Sequence, residues 1–425
     1  MISPERLSVL VVTPMAPSPP RFGAQARTHG LLSNLANRHN ITAVVLHEDA
    51  DTPETNGPAM RAYCREVLFV RNPNGAAGLG RRVLQARSWL STRSYQRHLF
   101  AVPALQQALD RILRTQRFDI VFVNFPHLAH YNLRQSPPGT PLPAVVIDSH
   151  DINYDLARQV ASSKAPFGQR LHAHLNWRKL RGEELAAYTS ADGVCVCSAA
   201  DRKRLAIDAP TANAVVIPNA ADVERMQPRP TDPPPDGRSV LFFGLLATVP
   251  NVDGVLHFAR EVWPWIVAAR PDARFVVVGA NPTASILELA GPNVDIVGPV
   301  DDLRPYLSSA AAIVVPLRLG SGTRLKILEA WAMARPVVST TLGAEGLDGI
   351  SGQHLLIADD PSVFADSVLR VLADRTLADR LGSAGRALVI DRFSWQGVAE
   401  SLDAFFRQAL ARRDSTPSTH RGSKN

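Results

Sequence analysis

Cysteine is scarce in this chain: three in 425 residues, at Cys64, Cys195 and Cys197. An odd, sparse set excludes a secreted disulfide framework and fits a reducing compartment. Cys195 and Cys197 alternate in an apolar run that sends both side chains to one face, where core packing is their expected role. Aromatic residues make up 6%, and no apolar run approaches the roughly 18 to 20 residues needed to span a bilayer. The start, with Pro4, Glu5 and Arg6 ahead of a short strand, has no signal-peptide pattern. These absences lead to the expectation of a cytoplasmic protein, with peripheral contact at the inner face of a membrane as the most it could make. Acid is in deficit too, with 39 Asp and Glu against 46 Lys and Arg and a net charge of +7. That balance favours anionic partners, while the lack of any nucleic-acid motif points away from DNA and RNA. Neither half carries a G-x-G-x-x-G turn after its first strand, which argues against a nicotinamide enzyme.

What is present is a long alternation of β-rich runs and helical stretches, the pattern of parallel sheets covered by helices. A first series of strands is expected at 7–13, 41–46, 66–70, 120–124, 144–148, 193–197 and 215–217. A second is expected at 239–243, 275–278, 294–297, 312–316, 336–339 and 355–358. Between them, residues 227–238 are dense in proline and read as a stiff linker. The predicted organisation is an α/β protein of two doubly wound, Rossmann-like domains facing across a cleft, residues 1–226 and 239–393. A helix over 394–411, free to cross back to the first domain, and a basic disordered tail over 412–425 complete the chain.

The densest chemistry lies at Leu319-Gly320-Ser321-Gly322-Thr323-Arg324-Leu325-Lys326, where a glycine-flanked turn leads from a strand into a helix predicted over 323–334. Amides and the helix dipole there favour an anion. Arg324 adds a planar fork of donors and Lys326 a point charge, together suited to a diphosphate. Glu329, somewhat over one turn beyond Arg324, is placed to accept hydrogen bonds from ribose hydroxyls. A merely solvated helix face is the other reading of the same residues. Asp253, Asp301 and Asp302 have no partners for a metal shell and read as caps or surface acids, so no metal is expected. Opposite this grip, Gly23 and Arg27, in the loop and helix after the first strand, are candidates for acceptor binding, with a turn and a helix surface charge as the alternative.

In order and spacing, the chain resembles the retaining, GT-B-fold glycosyltransferases of the group 1, or family 4, type. The residues that carry the resemblance are Asp148-Ser149-His150-Asp151, Ile217-Pro218-Asn219, Phe242-Phe243-Gly244, Asn251-Val252-Asp253, Asp301 to Leu307, the grip itself, and Ala332 to Thr340 with Gly343 to Leu347. The resemblance implies a second domain that binds a nucleoside diphosphate sugar and a first that recognises the acceptor. Arg324 and Lys326 would hold the diphosphate, Glu329 the ribose, the backbone around Gly298 to Val300 the base, and Gly244 with Gly320, Ser321, Gly322 and Thr323 would line the donor site. His150 would hydrogen-bond the donor sugar. Two departures stand out. Relatives carry a glutamate where this chain has Ser321, so sugar contacts are expected from backbone amides of Gly320 to Gly322, and the usual Arg and Lys after the first strand of the second domain give way to Leu245, Leu246 and Ala247.

The expected activity is a hexosyltransferase, moving sugar from a nucleoside diphosphate donor to a glycan or lipid-linked acceptor in polysaccharide and cell-envelope synthesis. A catalytically silent nucleotide-sugar-binding subunit, and an epimerase or phosphorylase on the same fold, are the competing readings. The basic segments Arg81 to Arg97 and Arg170 to Lys179 are candidates for membrane contact, with ordinary exposed helices as the alternative.

Overall fold

The structure, a computed structural model, describes residues 5–48, 52–75, 79–163 and 165–415. Every predicted strand forms, with ends shifted by no more than two residues. The first sheet contains β1 (Ser8–Thr13), β2 (Asn40–His47), β3 (Glu66–Arg71), β4 (Ile120–Asn124), β5 (Ala144–Ser149), β6 (Gly193–Val196) and β7 (Ala214–Val216). Its order is β3-β2-β1-β4-β5-β6-β7, parallel throughout. The second contains β8 (Ser239–Phe243), β9 (Arg274–Val278), β10 (Val294–Gly298), β11 (Ala312–Val315), β12 (Val337–Ser339) and β13 (Leu356–Ile357), ordered β10-β9-β8-β11-β12-β13 and again parallel. Unbroken runs such as Val9 to Val12 and Ile120 to Val123 are fully buried, as a sheet covered on both faces requires.

In each sheet the chain winds outward from a central strand, then returns to that strand's other side. The reversal separates the crossovers and opens a crevice at the strand C-termini, between β1 and β4 in one sheet and β8 and β11 in the other. Open α/β sheets bind ligands at that point. Two compact units result: one holds the chain through Tyr154, His174–Ile217 and the part from Ala399, and the other holds Asp155–Ala173 and Pro218–Val398.

Helices depart from expectation more than strands. The helix predicted over 323–334 runs Leu325–Ala332. The stretch after β8 is helical from Val249 to Ala269 with one π turn, Phe258–Val262, just before Pro264, whose missing amide and bulky ring disturb the regular ladder. Helices at Pro53–Arg61, Asn153–Ser162 and Ala199–Asp208 were not anticipated, while Leu79–Trp89 and Tyr95–Phe100 fall in the basic segment for which exposed helix was one of two readings. The first contains Gly57 and Pro58, yet a capping box between Thr52 and Thr55 and Pro53 in its first turn start it firmly. The last helix does not stop at Ala411 but runs Trp395–Ser415. Arg412 and Arg413 suit its C-terminal dipole, and Arg413 donates to the Leu142 carbonyl. The helix thus takes in residues 412–415 of the expected tail, and the rest of that tail lies outside the described residues. This helix buries Leu402, Phe405 and Phe406. The Phe406 ring meets Phe122 edge-on at 5.2 Å, and Phe405 packs where a Cβ on Gly193 would stand only 2.7 Å away.

Candidate active site

In the second unit, β8 ends at Gly244 with φ +146°, and β9 is followed by Gly279 with φ +157°. A Cβ on Gly279 would overlap the Gly244 carbonyl, so the two strand ends approach closely and leave a floor of bare backbone. The helix Leu325–Ala332 follows β11 beside this floor, in the crevice where the winding reverses.

Lys326 is the cation in its first turn. Its Nζ donates to Asn251 Oδ1 at 2.9 Å and lies 3.9 Å from the centre of the Phe242 ring. Both contacts hold a positive charge without neutralising it. Burial, with Arg324 nearby, brings the ammonium down to about 7, against a smaller opposing pull from Glu329. Burial likewise raises the Glu329 carboxyl to about 7, opposed by Lys326 and Arg225. Lys326 and Glu329 are the most perturbed ionisable groups of this helix, and perturbed groups beside a crevice mark functional sites.

Arg324 does not stand in the first turn as expected. It is the N-cap, with extended backbone at φ −93° and ψ 99°, because Gly322 and Thr323 keep the loop open until Leu325. Its Nη1 donates to the carbonyls of Ser321 and, at 3.1 Å, Gly322, so the guanidinium braces its own loop. The expectation for the Gly320 amide is also corrected: it donates to Gln159 Oε1 at 2.9 Å, while Gln159 Nε2 donates to the Gly320 carbonyl at 3.2 Å. Asn219 Nδ2 fastens the far end of the loop through the Thr323 carbonyl at 3.1 Å. Ser321 and Thr323 are buried, and the Thr323 hydroxyl has no hydrogen-bond partner among the described residues. Gly298, with φ +80°, closes β10, and the Val300 side chain packs on the core. Asp253 forms a bidentate pair with Arg318, and Asp302 with Arg304.

In the first unit, Gly23 opens a helix at an exposed position, but Arg27 is not available to an acceptor. It is 1% exposed and bidentate with Asp148, at 3.0 Å from Nε to Oδ2 and 2.6 Å from Nη2 to Oδ1. Burial works against both charges, but the pairing outweighs it: Arg27 stays protonated, and Arg27 with His150 holds Asp148 well below the usual carboxylate range. Asp148 also meets His150 Nε2 at 3.0 Å. Burial outweighs that attraction and lowers His150, so the ring is neutral near pH 7.

Beside His150 stand residues that the sequence did not single out. Asn124 ends β4, fully buried, its Nδ2 donating to Asp148 Oδ2 at 3.3 Å. Phe125 follows with φ +71° and ψ 136°, a conformation that costs a bulky residue about 1–3 kcal/mol and tends to cluster at functional sites. Its amide is pinned to the Asp148 carbonyl at 2.9 Å. The Phe125 ring lies 4.1 Å from His150 and 5.2 Å from His127, and His127 stacks in turn on Phe100 at 4.3 Å. Asn124, His127 and Gln159 are ordinary polar residues by sequence, and only the strand end at Asn124 hinted that its neighbours would matter, whereas Asn251 lies in one of the motifs that carry the family resemblance.

A model of the "Glycosyltransferase Family 4" matches residues 21–225, and one of "Glycosyl transferases group 1" matches residues 237–374, so between them they take in most of the chain. Both halves of the chain thus match glycosyltransferase models. It is similar to a phosphatidyl-myo-inositol mannosyltransferase of Mycobacterium leprae, 28% identical over 210 residues, which are 47% of this chain and 55% of that protein. Across this and two further curated relatives, the matched part spans 36% to 55% of the relative's length. Among solved structures, sucrose-phosphate synthase from Thermosynechococcus elongatus superposes with a TM-score of 0.74 at 20% identity, covering 96% of this chain and 100% of that one. The Anabaena HepE protein in complex with UDP and glucose does so with 0.64 at 14% identity, covering 95% and 100%. At these identities the structural likeness establishes the fold alone: two parallel-sheet α/β domains of the GT-B kind.

Proposed function

We propose that this GT-B glycosyltransferase moves a hexose from a nucleoside diphosphate sugar to a glycan or lipid-linked acceptor, with retention of anomeric configuration. The observation that carries the reading is Lys326: a half-buried ammonium at a helix N-terminus, fixed by Asn251 and Phe242 above the bare Gly244 floor. As the glycosidic bond breaks, negative charge grows on the departing diphosphate. A cation fixed in place stabilises that charge more in the transition state than before it, and needs no metal to do so. Arg324, two residues before Lys326, contributes by shaping the loop and by its charge. Glu329 receives the ribose hydroxyls, Gly298 and Val300 present backbone to the base, and neutral His150 hydrogen-bonds sugar hydroxyls. The mannosyltransferase name of one relative and the UDP bound to HepE agree with a sugar nucleotide as donor.

The test is transfer itself. With ADP-, GDP- and UDP-sugars and a lipid extract as acceptor source, nucleoside diphosphate release should depend on the extract. The product's anomeric coupling constant should match the donor's, and Lys326→Ala should lower turnover by about 10²-fold. The engaged Gly320 amide and the serine at Ser321 favour a second reading, a silent subunit that only binds the nucleotide sugar. Tight nucleotide binding with no release under any of these conditions would establish it.

An anionic membrane surface is the proposed cellular setting. The helix Leu79–Trp89 and its extension expose Leu90 at 94%, Val83 at 60% and Trp89 at 43%. Between Arg81 and Arg97 there are five arginines and no acid, a combination suited to anionic headgroups.

A further inference from the structure

Three side chains at the ends of β4 and β5 leave buried polar atoms without a hydrogen-bond partner among the described residues: Asn124 Oδ1, His150 Nδ1 and both ring nitrogens of His127. Asn124 is fully buried and His150 more than nine-tenths so. They are neighbours, since Asn124 Nδ2 lies 3.5 Å from His150 Nε2 and Phe125 bridges the two imidazoles by ring contacts on either side. The strained backbone of Phe125, fastened to the Asp148 carbonyl, holds this column in place. The position is the reversal point of the first sheet, where β4 returns to the side of β1. Buried polar groups are nearly always paired, and those left unpaired recover free energy when a ligand supplies the missing partner.

We propose that Asn124 and His127, beside His150, form a subsite in the first unit that reads the hydroxyl groups of an uncharged sugar or polyol acceptor. This rests on the sugar-transfer reading above and extends it to residues that reading does not use. The chemistry selects hydroxyls. A neutral imidazole offers one donor and one acceptor, the Asn124 carbonyl offers an acceptor, and a sugar hydroxyl can answer either. An anion is disfavoured beside His150: Arg27 is committed to Asp148, whose carboxylate is itself negative, and burial, with His130 and His150 nearby, takes His127 down to about 3. His127 and Asn124 act by positioning the acceptor, so their loss should show in acceptor binding and leave the nucleotide untouched.

The experiment follows the imidazole ¹⁵N signals of the full-length chain, labelled at histidine and assigned with His127→Phe and His150→Phe, during titration. Methyl α-mannoside, methyl α-glucoside and myo-inositol are the neutral probes. The per-O-methylated glucoside, which cannot donate, and inorganic phosphate are the controls. Saturable shifts of the His127 and His150 signals with at least one neutral probe, and none with the controls, are expected. His127→Phe keeps the stack on Phe100 and Phe125 but removes both nitrogens. It should weaken that probe about tenfold or more while leaving UDP, ADP and GDP affinities unchanged. Silent histidines with every neutral probe, or shifts with phosphate alone, overturn the proposal, as does an unchanged probe affinity in His127→Phe. Should that variant not fold, the titration of the unmodified chain decides by itself. Sugar binding at His127 without turnover of any nucleotide sugar would remove the transfer reading and keep the subsite, and turnover with silent histidines would do the reverse.

Discussion

Glu329 and Lys326 stand three residues apart, neighbours on one helix face, and both titrate near neutrality for the same reason, burial. For Glu329 the sign is set by its raised folded value. Between its ordinary 4.5 and about 7 the folded protein keeps a proton that the unfolded chain has released, so stability falls as pH rises through that window and stays lower above it. Glu329→Gln should therefore match the parent near pH 4.5 and exceed it at pH 8, by a melting-point rise of about 2–4 °C per kcal/mol recovered. Equal melting curves at pH 8 would mean that the carboxylate is solvated. Arg27 illustrates the opposite case, a buried charge fully paired. Arg27→Met leaves the Asp148 carboxylate uncompensated and should cost about 3–5 kcal/mol, read from the urea midpoint at constant slope. A loss under 1 kcal/mol would place Arg27 on the surface, as the sequence permitted.

At the scale of elements, the strands were legible because each is a short β-branched run buried on both faces, so that the pattern itself is the burial. Pro316 and Pro336 bound β11 and β12, where a residue without an amide donor cannot extend the ladder. Helices were harder to read. Gly57 and Pro58 concealed Pro53–Arg61, and nothing local announces that Arg324 ends a loop rather than starts a turn. That difference is why the proposed phosphate contact rests on Lys326 rather than Arg324. Asn124 and His127 were invisible for a related reason: their significance is an absence of partners, which only packing reveals. The last helix carries its own prediction. Phe406→Ala removes a fully buried ring from the contact with Phe122 and should cost about 3–5 kcal/mol of folding stability by denaturant titration. A change below 1 kcal/mol would show that the helix is merely appended to the first sheet.

For the whole molecule, the basic charge is in keeping with the proposal of an anionic donor and an anionic surface. No helix among the described residues is long and apolar enough to cross a membrane. The chain should sediment with phosphatidylglycerol-rich vesicles at low salt and release at about 0.5 M, and Leu90→Glu with Trp89→Ser should abolish the effect. Sedimentation unaffected by those changes would move the contact elsewhere. The central claim is the diphosphate held by Lys326, and calorimetry tests it most directly. Titrations of UDP, ADP and GDP into the full chain at pH 6.5 and 8.5 measure affinity and, through buffers of different ionisation enthalpy, proton uptake. Only the ionised ammonium attracts phosphate, and it is half neutral near pH 7. At least one of these nucleotides should therefore bind about tenfold or more weakly at pH 8.5 and draw in close to one proton there, and Lys326→Met should lose both the affinity and the pH dependence. Binding with the same affinity at both pH values, unchanged in Lys326→Met, would contradict the account.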